Sequence, residues 1–266
     1  MREPMHRRLF LVASLSMVPF VPAIANAAPA GGAAQYEQCL SRAASNPADA
    51  LREASEWQKA GGGPASEHCE AVALVALHRY VEAANKLDGL AHGSFPNDPG
   101  MRRSLFDQAG NAWLLAGKPD NAIGSFSAAL SIDPSDEDVL SDRARADAMK
   151  KNWGAAASDL SAALLVNPDR ADLLVLRGSA LHALGRKKEA LADYELALRI
   201  RPGYPDALVE RGNMKFEGGD IAGARADWSQ IVLSSPGSAA AESARQQLAA
   251  TAPAKPPAPE KPGKPR

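Results

Sequence analysis

Apolar residues in this chain recur at spacings of three and four over about fourteen positions, stop, and begin again, which predicts paired amphipathic helices joined by short turns. Between Arg103 and Pro236 the pair is written four times. Phe106, Leu140, Leu174 and Leu208 hold the fourth place of successive blocks, and Gly110, Ala144, Gly178 and Gly212 the eighth. Ala122, Ala156, Ala190 and Ala224 hold the twentieth, and Phe126, Leu160, Tyr194 and Trp228 the twenty-fourth. Pro134, Pro168, Pro202 and Pro236 stand 34 residues apart. Small residues at places eight and twenty let two backbones approach, and the large residue at twenty-four fills the space between them. Gly117, Gly185 and Gly219 stand in the break, where a helix end needs φ > 0, and each Pro lacks the N–H that would carry the second helix further. Such a hairpin cannot bury its apolar faces alone, so neighbours must stack. The fold class expected is all-α, an α-solenoid of antiparallel hairpins.

This series, completed by Ala129, Ala163, Ala197 and Ile231 at place twenty-seven, resembles the tetratricopeptide repeat family. The resemblance covers residues 103–136, 137–170, 171–204 and 205–236, about half the chain. It departs at place eleven, where Asp147 and Lys215 stand instead of a large ring, so those two helices are expected to pack less tightly.

Outside the four blocks the pattern weakens. Residues 35–97 read as two degenerate hairpins. The first has Ala50, Ala54 and Trp57 on one face of its second helix, and the second carries Ala71, Leu74, Ala83 and Leu87 at places that resemble those of the clear repeats. Residues 98–102 read as an insertion, and the stretch from His92 to Gly100 as too rich in polar residues, Pro and Gly for a helix. Residues 237–250 read as a capping helix with Ala241, Ala244 and Leu248 inward. Residues 251–266, rich in Pro and Lys, hold too little apolar surface to fold.

At the start, Arg2, Arg7 and Arg8, the apolar run from Leu9 to Ile24, and Ala25-Asn26-Ala27 have the layout of an export signal over residues 1–27, followed by a short linker over 28–34. A membrane anchor is the competing reading. The run is short and interrupted by Pro19 and Pro22, which favours export to a periplasmic or secreted location. Without residues 1–27 the chain keeps 27 basic and 30 acidic side chains, a net of −3. The tail from Thr251 holds four basic residues and one acidic, so the folded body stands near −6. A mildly acidic body argues against a nucleic-acid partner, which needs a basic stripe.

Cys39 and Cys69 are the two cysteines, each on the first helix of a degenerate hairpin. Such helices lie side by side in a stack, so a disulfide between them is expected in an oxidising compartment; two separate buried thiols are the alternative. No ligand spacing around His68 or His78 recommends a metal, and no base is placed beside either Cys for catalysis. Arg143, Arg177 and Arg211 at place seven face Asp159, Asp193 and Asp227 at place twenty-three, which predicts three ion pairs inside the hairpins. The block from Arg103 has Ala109 and Ser125 instead, losing both partners together. Charges that repeat with the fold read as structural, not catalytic.

The resemblance to tetratricopeptide repeats implies that the first helices line a groove and that ligands touch places two, five, nine, twelve and thirteen. Those places give Asp107, Asn111, Leu115, Asp138, Ser141, Arg145, Met149, Asp172, Val175, Ser179, His182, Asn213 and Phe216. Mixed polar and apolar groups suit an extended peptide or a helix, and three Asp on the wall favour a basic or neutral one. His182 is expected as a solvated side chain and not a pH switch, and Trp153 as a partly exposed ring. The plainer reading is that the whole set is solvated helix surface. No phosphate-binding Gly loop, zinc-protease motif, paired-cysteine motif or nucleophile elbow is present, and no cofactor is implied. The sequence thus points to a non-enzymatic scaffold for protein–protein interaction. A cell-envelope assembly factor that uses the cationic tail is the alternative, and an enzyme with an unrecognised site is the third class.

Overall fold

Thirteen helices account for the secondary structure of the computed structural model, which describes residues 32–252. The expected export signal, residues 28–31 of the linker and residues 253–266 of the tail lie outside the described residues. The helices are α1 (Gly32–Ser45), α2 (Pro47–Lys59), α3 (Gly63–Ala76), α4 (Tyr80–Gly93), α5 (Pro99–Leu115), α6 (Pro119–Ile132) and α7 (Glu137–Met149). They continue as α8 (Trp153–Val166), α9 (Ala171–Ala183), α10 (Lys187–Ile200), α11 (Pro205–Glu217), α12 (Ile221–Ser234) and α13 (Ala239–Ala250). No strand occurs among the described residues. The chain divides into a first unit that ends at Ala190 and a second that begins at Leu191, within α10.

Local chemistry sets the helix ends. Asn46, Asp98, Asp136, Asp220 and Ser238 each accept a backbone N–H of the helix that follows, and Pro stands at the start of α2 and α5. These caps satisfy donors that the helix leaves free. Asp98 explains one departure from expectation. Its side chain accepts from Met101 N at 2.8 Å, so residues 99–102 form the first turn of α5 and are not a non-helical insertion. Likewise α4 continues through His92 and Gly93, and α1 begins inside the expected linker.

The turn after each first helix closes in one way. Gly117 N donates to Leu114 O and Lys118 N to Trp113 O, both at 2.9 Å. The same pair of bonds recurs at Gly185 and Arg186, and at Gly219 and Asp220. Glycine takes the left-handed conformation these turns need, at φ 67° for Gly117. The second clear repeat has Lys151 there instead. Its backbone adopts φ 62° and makes the same bond, to Ala148 O at 2.9 Å. A Cβ in that region carries a steric cost.

In the first unit, α5 packs against α6, α7 against α8, and α9 returns onto α8. Phe126 and Leu160 are fully buried between the paired helices, and each contributes roughly 2–3 kcal/mol by leaving water. Gly110 makes the Phe126 contact possible, since a Cβ there would collide with the ring. The second unit repeats the device. A Cβ on Gly212 would stand 2.7 Å from Trp228 Nε1, and Trp228 sits in a cluster with Leu208, Ala224, Ile231, Ala241 and Ala244. The last two belong to α13, which covers the final hairpin as the capping pattern predicts.

At the N-terminal end, Ala43, Ala50 and Ala73 form one buried cluster across α1, α2 and α3, with Leu51 and Val72 packed alongside. Cys39 and Cys69 form a disulfide, with Cα atoms 6.2 Å apart, that ties α1 to α3. Beside it, Tyr36 Oη meets His68 Nδ1 at 2.7 Å, and His68 Nε2 meets Gln108 Oε1 at 2.8 Å, which joins α1, α3 and α5. Burial raises the Tyr36 hydroxyl above the usual tyrosine range and lowers the His68 imidazole, the latter against the bond to Gln108.

Reducing the disulfide should lower unfolding free energy by about 3–4 kcal/mol, the chain-entropy value for a loop near 30 residues. Urea melts with and without reductant measure it, and hydrogen exchange should place the loss in α1–α3. Lys151→Gly should raise stability by about 0.5–1 kcal/mol, whereas Gly212→Ala should lower it by about 1–3 kcal/mol.

Candidate functional site

Two kinds of polar group occur on these helices, those locked inside hairpins and those on the wall of first helices. The first kind is structural. Arg143 grips Asp159 through two bonds, Nε to Oδ2 at 2.7 Å and Nη2 to Oδ1 at 2.8 Å. Arg211 and Asp227 do the same at 2.9 and 2.7 Å. Of the third expected pair, Arg177 lies in the first unit and donates to Ser161 Oγ at 3.5 Å, as Arg143 donates to Ser127 Oγ at 3.2 Å. Asp193 lies in the second unit and is buried. In the block without the pair, Asp88 of the preceding α4 takes over, accepting from Trp113 Nε1 at 2.8 Å and Ser125 Oγ at 2.9 Å.

The two place-eleven departures are also tied in. Lys215 Nζ reaches Asp227 Oδ2 at 2.9 Å. Asp147 is buried and accepts from Asn152 Nδ2 at 3.0 Å; burial raises its carboxyl, opposed first by that bond. Polar partners replace the ring at both places.

The wall is different. α5 lies against α7 through their first-helix faces, and there Asn111 Nδ2 donates at 3.1 Å to both Asp107 Oδ1 and Asp142 Oδ2. Arg145 Nη1 holds the other Asp142 oxygen at 2.7 Å. Burial, then the Asp142 charge, pushes Asp107 up to about 7, although Arg103 pulls the other way. Burial raises Asp142 as well, opposed by Arg145 and Asn111. Next along the wall, Arg170 bonds Asp138 at 3.0 Å and Asp172 at 2.8 Å. Burial works to raise Asp172, but the Arg170 bonds and charge, with backbone N–H groups, outweigh it and hold the carboxyl low.

Six of the residues predicted for the groove, Asp107, Asn111, Asp138, Arg145, Asp172 and Met149, therefore line the accessible part of this wall, with Leu115 half-buried beside them. Ser141, Ser179, His182 and Asn213 are only 3, 1, 7 and 9% exposed. His182, expected in solvent, is an interior residue. Val175 is buried too, and Phe216 is exposed while its ring lies 5.8 Å from that of Trp228. Trp153 is half-buried, as expected.

Sequence reasoning missed Asp142, which completes the cluster. It occupies place six, held elsewhere by Gln108, Leu176 and Glu210. Three polar residues in four were the available signal. Glu210, in the second unit, is buried and raised to about 7 by that burial and by the charges of Asp206 and Glu217. Among the described residues no group of three or more His, Cys, Asp or Glu is gathered to hold a metal ion. No described helix is long and apolar enough to cross a membrane.

Two-helix hairpins that repeat every 34 residues and pack in consecutive order define an α-solenoid. The tetratricopeptide repeat family profile matches residues 142–205, and the chain carries repeats of that kind there. Its fold is similar to a crystal structure of MamA, at 18% identity and a TM-score of 0.56, covering 66% of this chain and 96% of that one. It is also similar to MamA 41-end from Desulfovibrio magneticus RS-1, at 18% identity and a TM-score of 0.52, covering 70% and 94%. The second TPR domain of human RPAP3, solved in complex with an HSP70 peptide, aligns at 26% identity with a TM-score of 0.43 over 44% of this chain and 98% of that one. No curated protein sequence matches the chain.

Asp107 makes stability depend on pH with a defined sign. The folded state keeps this proton to about 7, whereas an unfolded Asp loses it near 3.9. Its contribution is therefore intact below about pH 4 and is lost as pH rises towards 7. Asp107→Asn should remove that slope and stabilise the protein by about 2–4 kcal/mol at pH 7.5 relative to pH 4. Paired urea melts of the two proteins at both pH values check it.

Proposed function

We propose that this protein is an exported scaffold that holds a segment of another protein against the wall formed by α5, α7 and α9, and that it performs no chemistry itself. The observation that carries the reading is the Asp107–Asn111–Asp142 cluster. A hairpin stack has no structural need to place two raised carboxylates side by side on an accessible wall, and such groups cost stability unless a ligand uses them. Their charge favours a basic or neutral segment, extended or helical, over an acidic one. The disulfide and the layout of residues 1–27 support an oxidising location, a periplasm in a two-membraned cell.

The tail composition supports a second reading, a cell-envelope assembly factor. From Thr251 onward the chain carries four basic residues and one acidic among many Pro, a cationic segment that suits an anionic envelope surface.

A photo-reactive side chain at Met149, exposed at the end of α7, should cross-link a partner in the envelope fraction. The same group at Leu165, 87% exposed on α8, should not. Equal yields from both positions, or none from either, would remove the wall from consideration. Deleting residues 252–266 should leave the Met149 cross-link intact under the scaffold reading and abolish it under the envelope-surface one.

A further inference from the structure

We propose that the Asp107–Asn111–Asp142 cluster seats one organic cation of the bound segment, a Lys or Arg side chain or an N-terminal ammonium. The proposal rests on the wall being the binding surface, and it names what the wall reads.

Three observations within the first unit lead there. The first is that Asp107 lacks a counter-charge. Its hydrogen bond comes from Asn111, and no basic group lies within ion-pair distance of it among the described residues. The guanidinium groups of the wall are committed elsewhere: Arg103 to Asp136, Arg145 to Asp142, and Arg170 to Glu137, Asp138 and Asp172. A withdrawn carboxylate without a partner is an unfavourable state that an incoming cation relieves.

The second observation concerns polar atoms with nothing to bond. Asn111 Oδ1 and Arg145 Nε are both shut off from solvent and have no hydrogen-bond partner. Buried donors and acceptors are almost always satisfied in a finished structure. An acceptor and a donor left open beside a lone carboxylate form an incomplete set.

The third is the geometry of what would complete it. Asp107 and Asp142 are bridged by a single amide nitrogen, 3.1 Å from each, so the two carboxylates converge on one region. Two neighbouring carboxylates match the donors of an ammonium, and a guanidinium fork can also span the pair. Desolvation by the ligand would strengthen the attraction, because screening falls as water leaves.

The test pans a random dodecapeptide library displayed on phage against the full chain and against Asp107→Asn/Asp142→Asn, both at pH 7.5. The near-isosteric changes keep the volume, and circular dichroism melts check that the variant folds. Peptides selected on the unaltered chain should share a Lys or Arg at one fixed position, and that preference should vanish on the variant. A selected peptide should lose at least tenfold in affinity when its basic residue becomes norleucine, while the variant should bind both forms equally. A consensus with no fixed basic residue, or the same loss on chain and variant, overturns the cation seat and leaves the wall as a binding surface. Failure to select any peptide overturns the wall reading, and the cation seat falls with it.

Discussion

Everything in this structure depends on how close two helices can come. Where Gly110 faces Phe126 and Gly212 faces Trp228, the absence of one methyl group admits a whole ring. The ring is then fully buried between the two helices. Helices of 13 or 14 residues are marginal alone, so a hairpin has little else to hold it beyond this contact and its neighbours. Stability becomes a sum of nearest-neighbour terms, and each place in the repeat has one duty.

That division of labour explains which polar groups are structural. Arg143–Asp159 and Arg211–Asp227 clamp the two helices of a hairpin at the level next to the ring, with bidentate geometry that a lysine could not reproduce. Where the clamp is missing, Asp88 is recruited from the previous hairpin to hold Trp113 and Ser125. The wall groups are not repeated in this way. Asp107, Asn111 and Asp142 occur together once, and burial raises both carboxyls. Residues that break a local rule without a structural return are where function is to be sought.

Periodicity made the fold legible. The place-eight and place-twenty-four residues, the glycines of the turns and the capping helix could all be read from spacing, because each is dictated by contacts inside one repeat. The same reasoning identified both arginine clamps that lie within a single unit, and it singled out Cys39 and Cys69. It faltered where a local signal competed with the period. The Pro and Gly content near residue 100 suggested a break, but Asp98 caps the helix and Pro99 is at home in its first turn. Lys151 falls where the other three blocks have glycine, so the period marked the slot, but only the turn shows that a lysine adopts the left-handed backbone there. The site was legible only in part. Five of its polar members followed from the family resemblance, whereas Asp142 did not, because its role comes from Asn111 on another helix. His182 was expected in solvent and Ser141 on the accessible wall, by a rule about helix faces, but both are buried.

The bridge between Cys39 and Cys69 has a bearing on how the molecule is made. Synthesis proceeds from the N-terminus, so both sulfur atoms are available before any of the four clear repeats has been translated. A covalent hairpin pair can thus be waiting at one end, and later segments need only add to an edge that already exists. The array would grow from an anchored end, with its weakest hairpins set first and not last.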